Sequence, residues 1–205
     1  QLLKKHGLKK SSSLFEHGVG YMRATAYFVN FLGKGKFSGN DISSERIALG
    51  LKNNPKLSKK NPIFYHSSDN FFDFPEKRKY DFLYSNAVIC HMPPDHIVEA
   101  FTNMRKNLMH GGSKLIFNYS VLDFENFLHD DEVPLNEVLL RVERGTIGPS
   151  GGLLFTLLKE YQGKDMLTYT KTQFFHSRAY MESLVAEAGL RFEDISEPHF
   201  WGDAT

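Results

Sequence analysis

The stretch LFEHGVGYM at Leu14–Met22 constrains this chain more than any other. Apolar residues run into an acidic one, two glycines follow with one residue between them, and an amphipathic stretch begins at about Arg23. A strand, tight turn and helix start of this kind exposes backbone N–H groups and the positive end of a helix dipole where missing side chains let a ligand approach closely. Tight strand-to-helix turns also use glycine for conformation alone, so a lone Gly-x-Gly leaves both readings open. GNDIS at Gly39–Ser43 supplies a second element. Asp41 ends the next apolar stretch, 23 residues beyond Gly18. In nucleotide-binding α/β folds an acidic side chain about 20 residues after the glycines accepts hydrogen bonds from ribose hydroxyls. The pair favours a nucleoside ligand. A dinucleotide fingerprint would place a third glycine at position 23, where Arg23 stands, so NAD is disfavoured.

The rest of the chain alternates short apolar runs with longer amphipathic stretches, the pattern of an α/β domain on a mostly parallel sheet. Strands are expected at Ser12–Glu16, Lys36–Asp41, Ile63–His66, Tyr80–Tyr84 and Lys114–Asn118, with helices from Arg23 to Leu32 and from Ser43 or Ser44 to Asn53. Pro93 and Pro94 open a further helix, in which Ile97, Phe101, Met104 and Leu108 recur every three or four residues, and Gly111-Gly112 is expected to end it. Between Ser120 and about Asp165 the pattern breaks down around an acidic knot, Asp130, Asp131 and Glu132, and a glycine-rich segment, GTIGPSGG at Gly145–Gly152. An insertion of this length reads as a lid or specificity element within a single domain spanning residues 1–205. Alternation resumes over Leu167–Phe175, a helix capped by Ser177 runs to Ala188 and stops at Gly189, and Arg191–Ile195 closes a count of seven strands.

Composition narrows the class. Over 205 residues, 25 Lys and Arg stand against 24 Asp and Glu, which gives no global footprint for nucleic acid or a membrane surface. Lys59-Lys60 and Lys77-Arg78-Lys79 read as solvated surface. Cys90 is the single cysteine and cannot form an internal disulfide; it reads as a buried apolar residue. No run of about 18 apolar residues and no charged-then-apolar leader is present, so the expected compartment is the cytoplasm. His91 and His96 are five apart, which does not place two ligands on one helical face, and no metal site is expected. No Gly-x-Ser-x-Gly elbow follows a strand, which sets aside a serine hydrolase.

At this point the sequence resembles the class I S-adenosylmethionine-dependent methyltransferases over nearly its whole length. EHGVGYM looks like the family's acidic-x-Gly-x-Gly-x-Gly loop and GNDIS like the acidic end of its second strand. YHSSDNFFDFP at Tyr65–Pro75 is similar to the segment that meets the adenine amine, and YDFLYSNAVICHMPP at Tyr80–Pro94 to the fourth strand and following turn. NLMHGGSKLIFNYS at Asn107–Ser120 and FFHSRAYMESLVAEAGLRFEDI at Phe174–Ile195 look like the remaining helices and strands, in family order. The resemblance implies a Rossmann-like sheet of seven strands, the last antiparallel, with helices on both faces. It implies S-adenosylmethionine as cofactor and methyl transfer by direct displacement to an oxygen or nitrogen of a small-molecule acceptor. Glu16 would orient the loop and the cofactor's amino group, and Gly18 and Gly20 would pass under the methionine and ribose. Asp41 would bind the ribose hydroxyls, Ile42 would pack on the adenine, Asp69 with Asn70 would read its amine, and Asn86 would sit near the sulfonium.

Direct displacement asks the protein for alignment and, with a protonated acceptor, removal of a proton by a base of near-neutral pKa. Histidine suits that task. His91 after the fourth strand and His176 before the last helix are the candidate bases, each with a competing reading as a cap or surface residue; His129 and Tyr119 are weaker candidates for the acceptor pocket. Two residues depart from the family pattern: Met22 stands where a third glycine is preferred and His17 where an aliphatic residue is. They motivate an alternative, a non-catalytic or regulatory cofactor-binding protein that keeps the fold. An aminopropyl transferase is disfavoured because SNAVICHM after the fourth strand is neutral.

Overall fold

The computed structural model describes residues 2–67, 69–121, 142–144, 153–157, 173–176 and 178–193. The chain divides into two compact units, Gln1–Ile89 with Asp95–Asn118, and Cys90–Pro94 with Tyr119–Thr205.

In the first unit, α1 (Leu2–Lys5), β1 (Leu14–His17), α2 (Arg23–Phe31), β2 (Phe37–Asp41), α3 (Ser44–Asn53), β3 (Ile63–His66), β4 (Tyr80–Ser85), α4 (Pro94–Leu108) and β5 (Met109–Phe117) follow in order. The five strands pair in parallel in the order β3-β2-β1-β4-β5. The chain therefore moves outward from β1 on one side, then returns to its other side. That reversal opens a crevice beyond the C-terminal ends of β1 and β4, the usual ligand position in such sheets. Every residue of β1 and β2 is buried, as expected for central strands covered on both faces.

Alternation along the strands sorts the core into two layers. One joins Leu14, Phe37, Phe82 and Ile116 to Val19, Met22, Phe28, Val29 and Ile47. On the other, the Phe15 ring meets Phe72, Phe74 and Tyr80, while Phe101 of α4 lies 4.9 Å from Phe117 between ring centroids. The sequence periodicity of α4 is realised: Ile97, Phe101, Met104 and Leu108 are all buried. Its expected stop at Gly111-Gly112 is not. α4 ends at Leu108 and the glycines lie within β5, where the register jumps from Tyr80 opposite Met109 to Phe82 opposite Lys114. The extra residues form a bulge in which the His110 N–H donates to Ser113 Oγ, so the glycine pair serves a strand irregularity instead of a helix cap.

In the second unit, β6 (Ser120–Val121), β7 (Val142–Arg144), β8 (Leu153–Leu157) and β9 (Gln173–His176) form a separate sheet in the order β6-β9-β8-β7. β6 runs parallel to β9, and β8 runs antiparallel to β7 and β9. α5 (Arg178–Glu187) buries Met181, Leu184 and Val185. It ends as expected at Gly189, whose φ of 73° and N–H bond to the Ala186 carbonyl make a left-handed C-terminal cap. Most of the expected insertion 120–165, the segment GTIGPSGG, His129 and Ser177 lie outside the described residues. Of the expected closing strand, residues 191–193 are not in a strand and the remainder lies outside as well.

Candidate cofactor site

The C-terminal ends of β1, β2 and β4 carry the residues singled out from the sequence. Gly18 has φ 79° and Gly20 φ 50°, the left-handed region that glycine enters without a Cβ penalty. A side chain at Gly18 would also overlap the Val88 Cγ2 methyl, whereas the space beside Gly20 is open. The loop is tied to β2 by backbone bonds: the Gly18 and Val19 N–H groups both donate to the Asn40 carbonyl, at 2.9 and 3.0 Å.

Asp41, 5% exposed, divides its carboxylate between two backbone donors. The Gly20 N–H donates to Oδ2 at 2.7 Å and the Ser43 N–H to Oδ1 at 2.9 Å. One side chain thus fixes both the glycine loop and the entry to α3, and each oxygen keeps a lone pair for an incoming hydroxyl. Ser43 caps α3, its Oγ accepting from the Arg46 N–H at 3.2 Å. Next to Asp41, Ile42 is 70% exposed, an apolar side chain left on the rim of the crevice.

Glu16 is 3% exposed and accepts from Thr25 Oγ1 at 2.6 Å, which ties β1 to the first turn of α2. Burial pushes its carboxyl up to about 8; the Thr25 hydroxyl opposes that shift and the nearby Asp41 charge adds to it. At neutral pH the acid is mostly protonated. His17 is also buried, with Nδ1 3.2 Å from Ser85 Oγ and its ring edge-on to Phe72. Burial lowers its imidazole to about 4 against the opposing pull of Asp41, so it is neutral and serves as a packed polar link between β1 and β4. Met22, at φ 64° and ψ 32°, is 1% exposed and turned into the core against Gly50 of α3.

The expected adenine and sulfonium contacts lie on the loops that follow β3 and β4. Asp69 is exposed and organises its own turn, its Oδ1 accepting from the Phe71 N–H at 3.0 Å and from Ser67 Oγ at 3.2 Å. Asn70 Nδ2 donates to Glu99 Oε2 of α4 at 3.1 Å. Asn86 is exposed just past β4, beside Ala87, whose N–H donates to Asn118 Oδ1 at 2.7 Å. His91 is exposed at the end of a short 3-10 turn, Ile89–His91. His176 ends β9, is 1% exposed, and is held below the usual imidazole range by burial. Both histidines belong to the second unit. Among the described residues no group of three or more His, Cys, Asp or Glu could hold a metal, and no helix is long and apolar enough to cross a membrane.

Sequence reasoning missed Thr25, Ser43, Val88 and Gly50 as parts of the site. Ser43 was expected as a helix cap and not as a part of the site, and Gly50 left a signal in that a glycine inside a helical pattern marks a close approach.

No family model and no curated protein matches the chain. Solved structures do. It overlays on the magnesium protoporphyrin IX methyltransferase ChlM of Synechocystis PCC 6803 with bound SAH at a TM-score of 0.59 and 12% identity, over 94% of this chain and 70% of that one. A DhpI–SAM–HEP complex matches at 0.56 and 16%, over 92% and 75%. The mitomycin 7-O-methyltransferase MmcR matches at 0.56 and 12%, over 90% of this chain but 44% of its own. The chain has the class I methyltransferase fold. In this methyltransferase fold the glycine loop, Asp41 and the end of β4 meet at the reversal of strand order.

Proposed function

We propose that the protein is an S-adenosylmethionine-dependent methyltransferase that transfers a methyl group by direct displacement to an oxygen or nitrogen of a small-molecule acceptor. The observation that carries this reading is the Asp41 carboxylate, bonded to the Gly20 and Ser43 amides beside the open face of Gly20 and the exposed Ile42. A fixed acidic acceptor, a glycine floor and an apolar rim fit a ribose with an adjoining adenine and methionine chain. Gly18 and Gly20 would admit the backbone side of the ligand, Asp41 its hydroxyls, Ile42 the adenine face, Asp69 and Asn70 the adenine amine, and Asn86 the methionine end. Glu16 would orient the loop and the cofactor's amino group. When bound, the cofactor supplies a methyl group already activated on a sulfonium.

The acceptor must lose a proton if it arrives protonated. We assign that task to His91, with His176 as the second candidate: of the two imidazoles His91 is exposed and His176 is buried. The neighbours' names support a small acceptor, since ChlM and MmcR are a porphyrin and a mitomycin methyltransferase. Residues 120–165 are proposed as the acceptor wall, within one 205-residue methyltransferase-like domain located in the cytoplasm, with no nucleic-acid or membrane partner and no metal. The two departures behind the non-catalytic reading do not support it, because Met22 lies in the core and His17 is bonded to Ser85. Calorimetry with S-adenosylmethionine and S-adenosylhomocysteine (SAH), followed by turnover against hydroxyl- and amine-bearing acceptors, tests the reading. Absence of binding to either nucleoside at millimolar concentration overturns it.

A further inference from the structure

The glycine loop carries a non-glycine residue in a left-handed conformation. Met22 has φ 64° and ψ 32° and stands at the N-terminal boundary of α2, with no side-chain cap bond there. A methionine loses the freedom that glycine enjoys in this region, so something must hold it there. Two backbone bonds contribute: the Met22 N–H donates to the Val19 carbonyl at 2.8 Å, and its carbonyl accepts from Ala26 at 3.1 Å. The side chain provides the third hold. It is 1% exposed, and a Cβ built on Gly50 of α3 would stand 2.6 Å from Met22 Cγ, 3.0 Å from Sδ and 3.3 Å from Cβ. Gly50 is thus a notch that accepts the methionine along most of its length. A second notch lies beside it, because a Cβ on Gly39 would stand 2.5 Å from Val19 Cγ1. Both loop side chains that point inward are seated where a strand or helix lacks a side chain. Between them sits Gly20, whose N–H bonds Asp41.

We propose that Gly50 is a positioning residue for the cofactor site: by receiving Met22 it sets the glycine loop in the place of the missing third glycine. This inference rests on the cofactor reading above and assigns a role to a helix residue that is not among the proposed ligand contacts. The loop needs at position 22 either a glycine, free to take positive φ, or a side chain held by a notch. Gly50 is required only in the second case.

The test is a two-by-two set: wild type, Gly50→Ala, Met22→Gly, and the double variant. Each is measured by SAH calorimetry, thermal unfolding, and the amide exchange rate of Gly20 by NMR. Gly50→Ala in the wild-type background is expected to weaken SAH binding at least tenfold and to speed Gly20 exchange as its bond to Asp41 is displaced. In the Met22→Gly background the same substitution is expected to leave affinity within twofold, leave Gly20 exchange unchanged, and raise Tm through the better helix propensity of alanine. An equal loss of affinity in both backgrounds, or a Gly50→Ala variant with wild-type Gly20 exchange, overturns the proposal. If wild type binds no SAH, the functional reading fails, and the Gly20 exchange rates still decide whether Gly50 sets the loop through Met22.

Discussion

Replacing Glu16 by glutamine removes a buried acid while keeping its size and its ability to accept from Thr25. The folded carboxyl sits at about 8 against an ordinary 4.5, mainly because burial penalises the ionised form. The folded state therefore prefers the protonated acid. Its contribution to stability is fully present below pH 4.5, falls as the unfolded chain ionises, and is exhausted once pH has risen through 8. A displacement from 4.5 to about 8 corresponds to about 5 kcal/mol in all, lost at about 1.4 kcal/mol per pH unit inside that window. Urea unfolding of wild type and Glu16→Gln from pH 4.5 to 9 isolates this group, because the titration of groups not coupled to Glu16 cancels in the difference. Wild-type stability is expected to fall relative to the variant across the window, and the variant to be the more stable protein at pH 9. A difference that stays flat, or that moves in favour of wild type as pH rises, would refute the placement of Glu16 in a dry site. Thr25→Ala serves as a companion: its hydroxyl favours the ionised form, so its loss should push the falling limb to higher pH.

The remaining predictions concern the loop and its anchors. Asp41→Ala leaves the Gly20 and Ser43 amides without their acceptor and should cost roughly 2–4 kcal/mol of stability, with Asp41→Asn about half that because one oxygen remains; chemical denaturation ranks them. Gly18→Ala combines positive φ with overlap against Val88, and should lower Tm and abolish measurable SAH binding. Ser43→Ala removes the α3 cap and should cost about 1 kcal/mol in thermal unfolding, while its backbone N–H keeps Asp41 in place. His91→Gln should lower turnover with little change in SAH affinity; unaltered turnover would remove it as the base.

What could be read from the sequence was whatever the backbone demands of residue type. Gly18 and Gly20 take left-handed conformations that few other residues tolerate, and Gly189 ends α5 for the same reason. The four-residue rhythm of α4 is visible because its buried stripe faces one core layer. Asp41 was recognisable as an acidic residue ending a strand, yet its bonds to Gly20 and Ser43 were not, since a backbone N–H carries no residue identity. The direction of the Met22 side chain was equally hidden: it depends on Gly50, which the fold brings up from the next helix. Gly111-Gly112 misled because a glycine pair marks a bulge as readily as a helix end, and only the register of β5 against β4 separates the two. Thr25 escaped because its partner, Glu16, sits in a strand, where helical periodicity offers no guide.

Calorimetric titration of the wild-type protein and Asp41→Ala with S-adenosylmethionine and SAH tests the central claim most directly. Saturable binding of both nucleosides to wild type is expected, with affinity weaker by at least about tenfold in the variant, as loss of a charged hydrogen-bond acceptor requires. No binding to wild type at millimolar nucleoside, or equal binding to both proteins, would contradict it.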